Sequence, residues 1–138
     1  MKNNFARIHN ILAWLIFAGS ILQIFLISLA YFRAIEVETH AFSGFLISVL
    51  ALLMFISSLV VRRSALNVVL SLVVLLLLIP VQGLLAYSDD LPNAVQGLHG
   101  LVGMLIMGLA YTLATGKVKA SYYEETKVFA AAMAGNRS

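Results

Sequence analysis

The chain has no cysteine. That excludes disulfides, thiolate metal sites and the covalent attachment of a c-type heme. Charge is scarce as well: Asp, Glu, Lys and Arg make up 11% of its 138 residues, against about 25% in soluble globular chains. Four stretches, 11–32, 39–61, 65–87 and 94–115, contain none of these four residue types. With no carboxylate inside them there is no group to relay protons, which argues against a pump or a proton-coupled carrier. A glycine-rich phosphate loop, a nucleophile motif and a His-Glu-x-x-His zinc signature are all lacking.

Apolar length fills the space that charge leaves. Hydrophobic residues account for 62% of the chain and mean hydropathy is +0.98. Each of the four stretches reaches the ~20 residues that cross a bilayer as a helix. The expected fold is therefore all-α, a polytopic membrane protein. The first stretch is too long for a cleavable signal peptide and has no clear small-x-small cleavage site before the next polar residues.

The basic residues set orientation, so a pI near 9.5 does not indicate a nucleic-acid partner. Lys2, Arg7, Arg62, Arg63, Lys117, Lys119, Lys127 and Arg137 all fall on one set of segment ends, leaving Arg33 on the other. The loops that hold Arg33 also carry Glu36, Glu38, Asp89 and Asp90. The positive-inside rule then puts both termini in the cytoplasm. Short connections make successive helices antiparallel neighbours, an up-down-up-down bundle with the second and fourth helices diagonal across its core. Pro80 is expected to kink the third helix and free the Leu76 carbonyl, and Asp89 to Asn93 to form a turn.

Residues 1–115 thus form the transmembrane domain and 116–138 a cytoplasmic tail. Tyr122 and Tyr123 suit a headgroup layer, so the tail reads as an interfacial or partner-docking helix. A disordered terminus is the alternative.

The most specific signal is an internal repeat. The twelve residues from His40 align with the twelve from His99, and six positions are identical, among them Gly44 over Gly103. Gln23 stands seventeen residues before His40, and Gln82 seventeen before His99. A period of fifty-nine residues that preserves Gln, His and Gly implies two helical hairpins related by a pseudo-twofold axis. Both histidines then open diagonal helices at matched depth, the arrangement a six-coordinate heme requires. Imidazole ligates heme iron well in an apolar shell. Gly44 and Gly103, four residues on, share a helix face with their histidines and thin the wall for a flat ring. Gly97 and Gly100 add to this near His99. Small residues also pack membrane helices without any ligand, so it is the repeated pairing that points to heme. Gln23 and Gln82 read as interhelical glue or as donors to a cofactor edge. His9 has no counterpart in the repeat and reads as an interfacial residue.

These motifs resemble a known family. Histidines heading the second and fourth helices, Pro80-Val-Gln82-Gly83-Leu-Leu-Ala86 closing the third, and Leu91-Pro92-Asn-Ala-Val-Gln-Gly-Leu-His99 entering the fourth are similar to one half of a heme A synthase. Small bacterial four-helix membrane proteins show a similar pattern. The resemblance covers 11–115 and implies a bacterial cytoplasmic-membrane protein with a heme between His40 and His99. Glu36-Val-Glu-Thr-His40 also matches the family's Glu-x-x-x-His arrangement, which makes Glu36 a catalytic candidate for porphyrin oxidation. Two departures weigh against that activity: Ala41 stands where the family has arginine, and a single half offers one histidine pair where the enzyme has two.

The expected function is accordingly a membrane b-type cytochrome. One heme b is ligated by His40 and His99, and Gln23, Gln82, Gly44 and Gly103 line its site. Bis-histidine ligation favours electron transfer over oxygen binding. One heme near one surface cannot carry electrons across the whole bilayer, so lipid and other membrane subunits are the expected partners, with a second copy of the chain also allowed. The rival readings are a non-catalytic structural or pigment-binding subunit of a respiratory or photosynthetic complex, and a half-size heme A synthase-like enzyme.

Overall fold

The computed structural model describes residues 2–60, 64–87 and 91–116, with side chains from residue 6 onward except at 87, 93 and 94. Arg62, Arg63, Asp89, Asp90 and the expected tail helix lie outside these residues. Among the described residues the secondary structure is wholly helical: α1 Lys2–Tyr31, α2 Val37–Val60, α3 Ala65–Leu76, a π turn Leu77–Val81, α4 Gln82–Tyr87, α5 Asn93–Gln96 and α6 Leu98–Thr115. Four spans are long and apolar enough to cross a membrane: Ala6–Tyr31, Val37–Val60, Ala65–Ala86 and Leu98–Thr115.

Helix α1 starts nine residues before the apolar stretch that marks it in the sequence. Local chemistry fixes the other ends. After α1, Arg33 adopts φ +57, the Ala34 N–H bonds the Leu29 carbonyl at 2.9 Å and the Arg33 N–H bonds the Ala30 carbonyl at 2.9 Å. This is a Schellman closure, which a glycine would make at lower cost. The Ser64 hydroxyl caps α3 by accepting from the Asn67 N–H at 3.4 Å. Gly116, at φ +67, ends α6. The fourth expected helix is interrupted after Gln96, where the short α5 gives way to α6 at Gly97.

Pro80 does not simply kink the third span. It sits inside a π turn, and the Gln82 N–H reaches back five residues to the Leu77 carbonyl. The wider turn supplies new partners for carbonyls that a proline leaves unbonded in an α-helix.

Helix α1 packs on α2 and on α6, and the α3–α4 rod packs on both α2 and α6. Leu12, Ala13, Ile16, Ile47, Ala51, Met54, Val74, Ile106, Ala110, Leu113 and Ala114 form one buried cluster. It draws on α1 up to Ile16, on Val74 of α3, on α2 from Ile47 onward and on α6 from Ile106 onward. Trp14, Phe17 and Tyr111 stack beside it, with ring centroids 5.6–6.0 Å apart, and tie α1 to α6. The faces turned away from the cluster are exposed and apolar, among them Phe25, Phe45, Leu84 and Leu101, as helices solvated by lipid require.

The tightest helix approach is at Gly19, where an added Cβ would lie 2.9 Å from Ile47 Cγ1. Gly19→Val should therefore destabilise the bundle by about 1–3 kcal/mol through overpacking. Gly108→Ala, which meets nothing within 4 Å, should leave stability unchanged in the same detergent unfolding assay.

Candidate functional site

His40 opens α2 and His99 opens α6, and the structure brings them together with imidazole centroids 6.0 Å apart and planes at 59°. Behind each ring stands the glutamine seventeen residues upstream. The backbone of Gln23 lies near the His40 ring, and that of Gln82 near the His99 ring. The Gln23 amide in turn donates from Nε2 to the His40 carbonyl at 3.2 Å, which crosses from α1 to α2. Ser43 donates to the same carbonyl at 2.9 Å. Gln23 therefore does act as interhelical glue.

Gly44 and Gly103 make room for these amides. A Cβ at Gly44 would come within 3.0 Å of Gln23 Nε2, and one at Gly103 within 3.5 Å of Gln82 Nε2. The glycines expected to thin a wall for a flat ligand thus first admit the two glutamine side chains. Gly100 faces open space.

Polar satisfaction is incomplete here, in a paired pattern. His40 Nδ1, His99 Nδ1, Gln23 Oε1 and Gln82 Oε1 are all buried without a hydrogen-bond partner. An orphaned buried polar atom costs about 1–3 kcal/mol, and ordered proteins keep few of them. Four such atoms stand at the two repeated His/Gln positions, which makes this end of the bundle the candidate site.

Packing around the pair is correspondingly light. Of the described residues in α2 ahead of Ile47, and in α6 ahead of Ile106, none is buried. Leu85 is the buried apolar residue of α4 at this end. Glu36 lies just ahead of α2 and is exposed, with its backbone carbonyl accepting from the Thr39 N–H at 3.1 Å.

His9 departs from expectation. It is fully buried, not interfacial, and its Nε2 lies 3.2 Å from Ser71 Oγ. The Ser71 hydroxyl donates to the Asn67 carbonyl at 2.8 Å, so its oxygen is left to accept from the His9 Nε2–H. This contact joins α1 to α3 across sixty-two residues. Local sequence carries no sign of it, because the pairing exists only once the helices pack.

Among the described residues, no three of His, Asp or Glu cluster closely enough to hold a bare metal ion. Two imidazoles can fill only the axial positions of a metal whose other donors arrive with a ligand, as in a tetrapyrrole. The spacing fits that chemistry. Metal–imidazole bonds run about 2.0 Å and a ring centroid lies roughly 1 Å beyond its nitrogen, so rings on opposite sides of one metal have centroids roughly 6 Å apart.

No known protein family, no characterised protein and no solved structure matches the chain.

The buried orphans predict an unusual stability response. Gln82→Leu removes an unsatisfied oxygen and should leave the ligand-free protein as stable as before, or more stable, in thermal unfolding. Ser71→Ala takes the acceptor from buried His9 and should cost about 1 kcal/mol.

Proposed function

We propose that the chain is a membrane b-type cytochrome that holds one heme between His40 and His99. The observation that carries this reading is the 6.0 Å separation of two imidazoles contributed by repeated, non-adjacent sequence segments. The orphaned Nδ1 and Oε1 atoms and the lightly packed helix ends around them support it. So does the resemblance of the His40 and His99 motifs to one half of a heme A synthase.

The bundle supplies the geometry. In this reading it runs up-down-up-down as two hairpins related by a pseudo-twofold axis. Gly19 meets Ile47 and Gln23 meets His40, so contacts step forward along α1 as they step back along α2. Residues at equivalent steps of the repeat are buried together: Ile47 with Ile106, Ala51 with Ala110, Met54 with Leu113. Both termini face the cytoplasm of a bacterial cell, and the histidine pair lies toward the outer surface.

Heme would supply one-electron redox chemistry. The chain's own part is to bind and to insulate. His40 and His99 would present their imidazole nitrogens from the starts of α2 and α6, with ring centroids 6.0 Å apart. Gln23 ties α1 to the start of α2 through the His40 carbonyl, which helps to hold that histidine in place. The apolar helix faces exclude water. A heme held by both His40 and His99 would favour electron transfer over oxygen binding, and its place near one surface would make the chain a subunit that works with other membrane proteins.

Protein purified from heme-replete membranes should show a sharp reduced alpha band at one heme per chain. His40→Ala and His99→Ala should each remove it or convert it to a five-coordinate spectrum, while the four-helix fold persists by circular dichroism. A colourless wild-type preparation that carries a stoichiometric partner would favour the structural-subunit reading instead.

A further inference from the structure

Equivalent positions of the repeat are not separated by a constant distance. From Gln82 onward the partners stand 59 residues apart: Gln23 and Gln82, His40 and His99, Gly44 and Gly103, then the buried pairs Ile47 and Ile106, Ala51 and Ala110, Met54 and Leu113. Upstream, the fully buried positions of α1 match buried ones at 58: His9 with Asn67, Ala13 with Ser71, and Ile16 with Val74. At 59 the same residues of α1 would meet Val68, Leu72 and Leu75, none of which is buried.

The step of one residue falls between Val74 and Gln82, where the π turn Leu77–Val81 lies. In α1 the buried Ile16 and Gln23 are seven residues apart; in the second copy Val74 and Gln82 are eight apart. Seven residues make almost two full α turns and return to the same face, whereas eight overshoot by about 80°. A π turn holds one extra residue without changing the faces on either side of it.

We propose that the π turn is the positioning element of the histidine site. It absorbs a single-residue insertion in the second hairpin, so that Gln82 sits against Gly103 as Gln23 sits against Gly44. This rests on the duplicated-hairpin reading and not on the identity of any bound group. Pro80 marks the insertion because its missing N–H already breaks the α-helical bond to the Leu76 carbonyl. Ile21, its counterpart in α1, lies in a regular helix that has no residue to spare.

The consequence is opposite to the usual expectation for deletions in a membrane helix. Removing Pro80 restores the seven-residue spacing of α1 and leaves the site in register. Removing Ile21 turns Gln23 away by about 100°.

The absence of native cysteine makes this testable by thiol cross-linking in membranes, with no reference to pigment. The Gln82→Cys/Gly103→Cys pair should cross-link in the Pro80 deletion within about twofold of its yield in the full chain, since both faces are kept. The Gln23→Cys/Gly44→Cys pair should lose at least roughly tenfold in the Ile21 deletion, since one face rotates away. A His9→Cys/Ser71→Cys pair reports the other end of the bundle and should cross-link in the Pro80 deletion as in the full chain. Loss of the Gln82/Gly103 cross-link in the Pro80 deletion overturns the proposal, whether or not the His9/Ser71 cross-link survives, because the proposal requires the shortened helix to fold. Full retention of the Gln23/Gly44 cross-link in the Ile21 deletion overturns it as well.

Discussion

A polar atom in the hydrocarbon layer has no water to turn to, and each one must find its partner inside the protein. That constraint sorts this chain into two ends. At one, the His9–Ser71–Asn67 chain of hydrogen bonds sits against a closely packed apolar cluster, and the polar groups work as interhelical ties. At the other, two imidazoles and two amides face one another with four buried atoms unbonded. Removing one of those atoms would be easy: leucine at Gln82 would give a quieter bundle. Their presence at both repeated positions, against the local interest of stability, is what makes that end a candidate site.

Helix geometry explains how the site is held. Gly19 lets α1 and α2 approach until backbone meets the Ile47 side chain, and that closeness carries on to Gln23 and His40, where an amide bonds a carbonyl across the gap. The second hairpin reaches a similar arrangement by a different local route. Its third span carries a proline and one residue more, and the π turn takes up the excess before Gln82. Unequal helices thus set Gln23 against Gly44 and Gln82 against Gly103 in a similar way.

Much of this was legible in the sequence, for physical reasons that differ by element. The spans follow from apolar length, because a bilayer imposes it on every helix regardless of neighbours. The histidine pair followed from the repeat, since duplicated segments present equal side chains at equal depth. Glu36 was legible as a motif, but its exposure ahead of the first turn of α2 was not, because that depends on which neighbours pack around it. His9 escaped for a related reason. The nearest charged residue, Arg7, lies just before it and made it look interfacial, whereas the helix continues to Lys2 and carries His9 into the core. The register step at Pro80 was equally hidden: proline announces a disturbed helix but not whether it bends or gains a residue, and only the burial of Val74 and Asn67 distinguishes the two.

The central claim is that His40 and His99 clasp a single iron, and electron paramagnetic resonance of the oxidised, purified protein addresses it most directly. A low-spin ferric signal at one iron per chain, turning high-spin in His99→Ala, is the result expected from two imidazoles on one heme. A high-spin signal in the unaltered protein, or iron in much less than one copy per chain after expression with ample heme, would contradict the account.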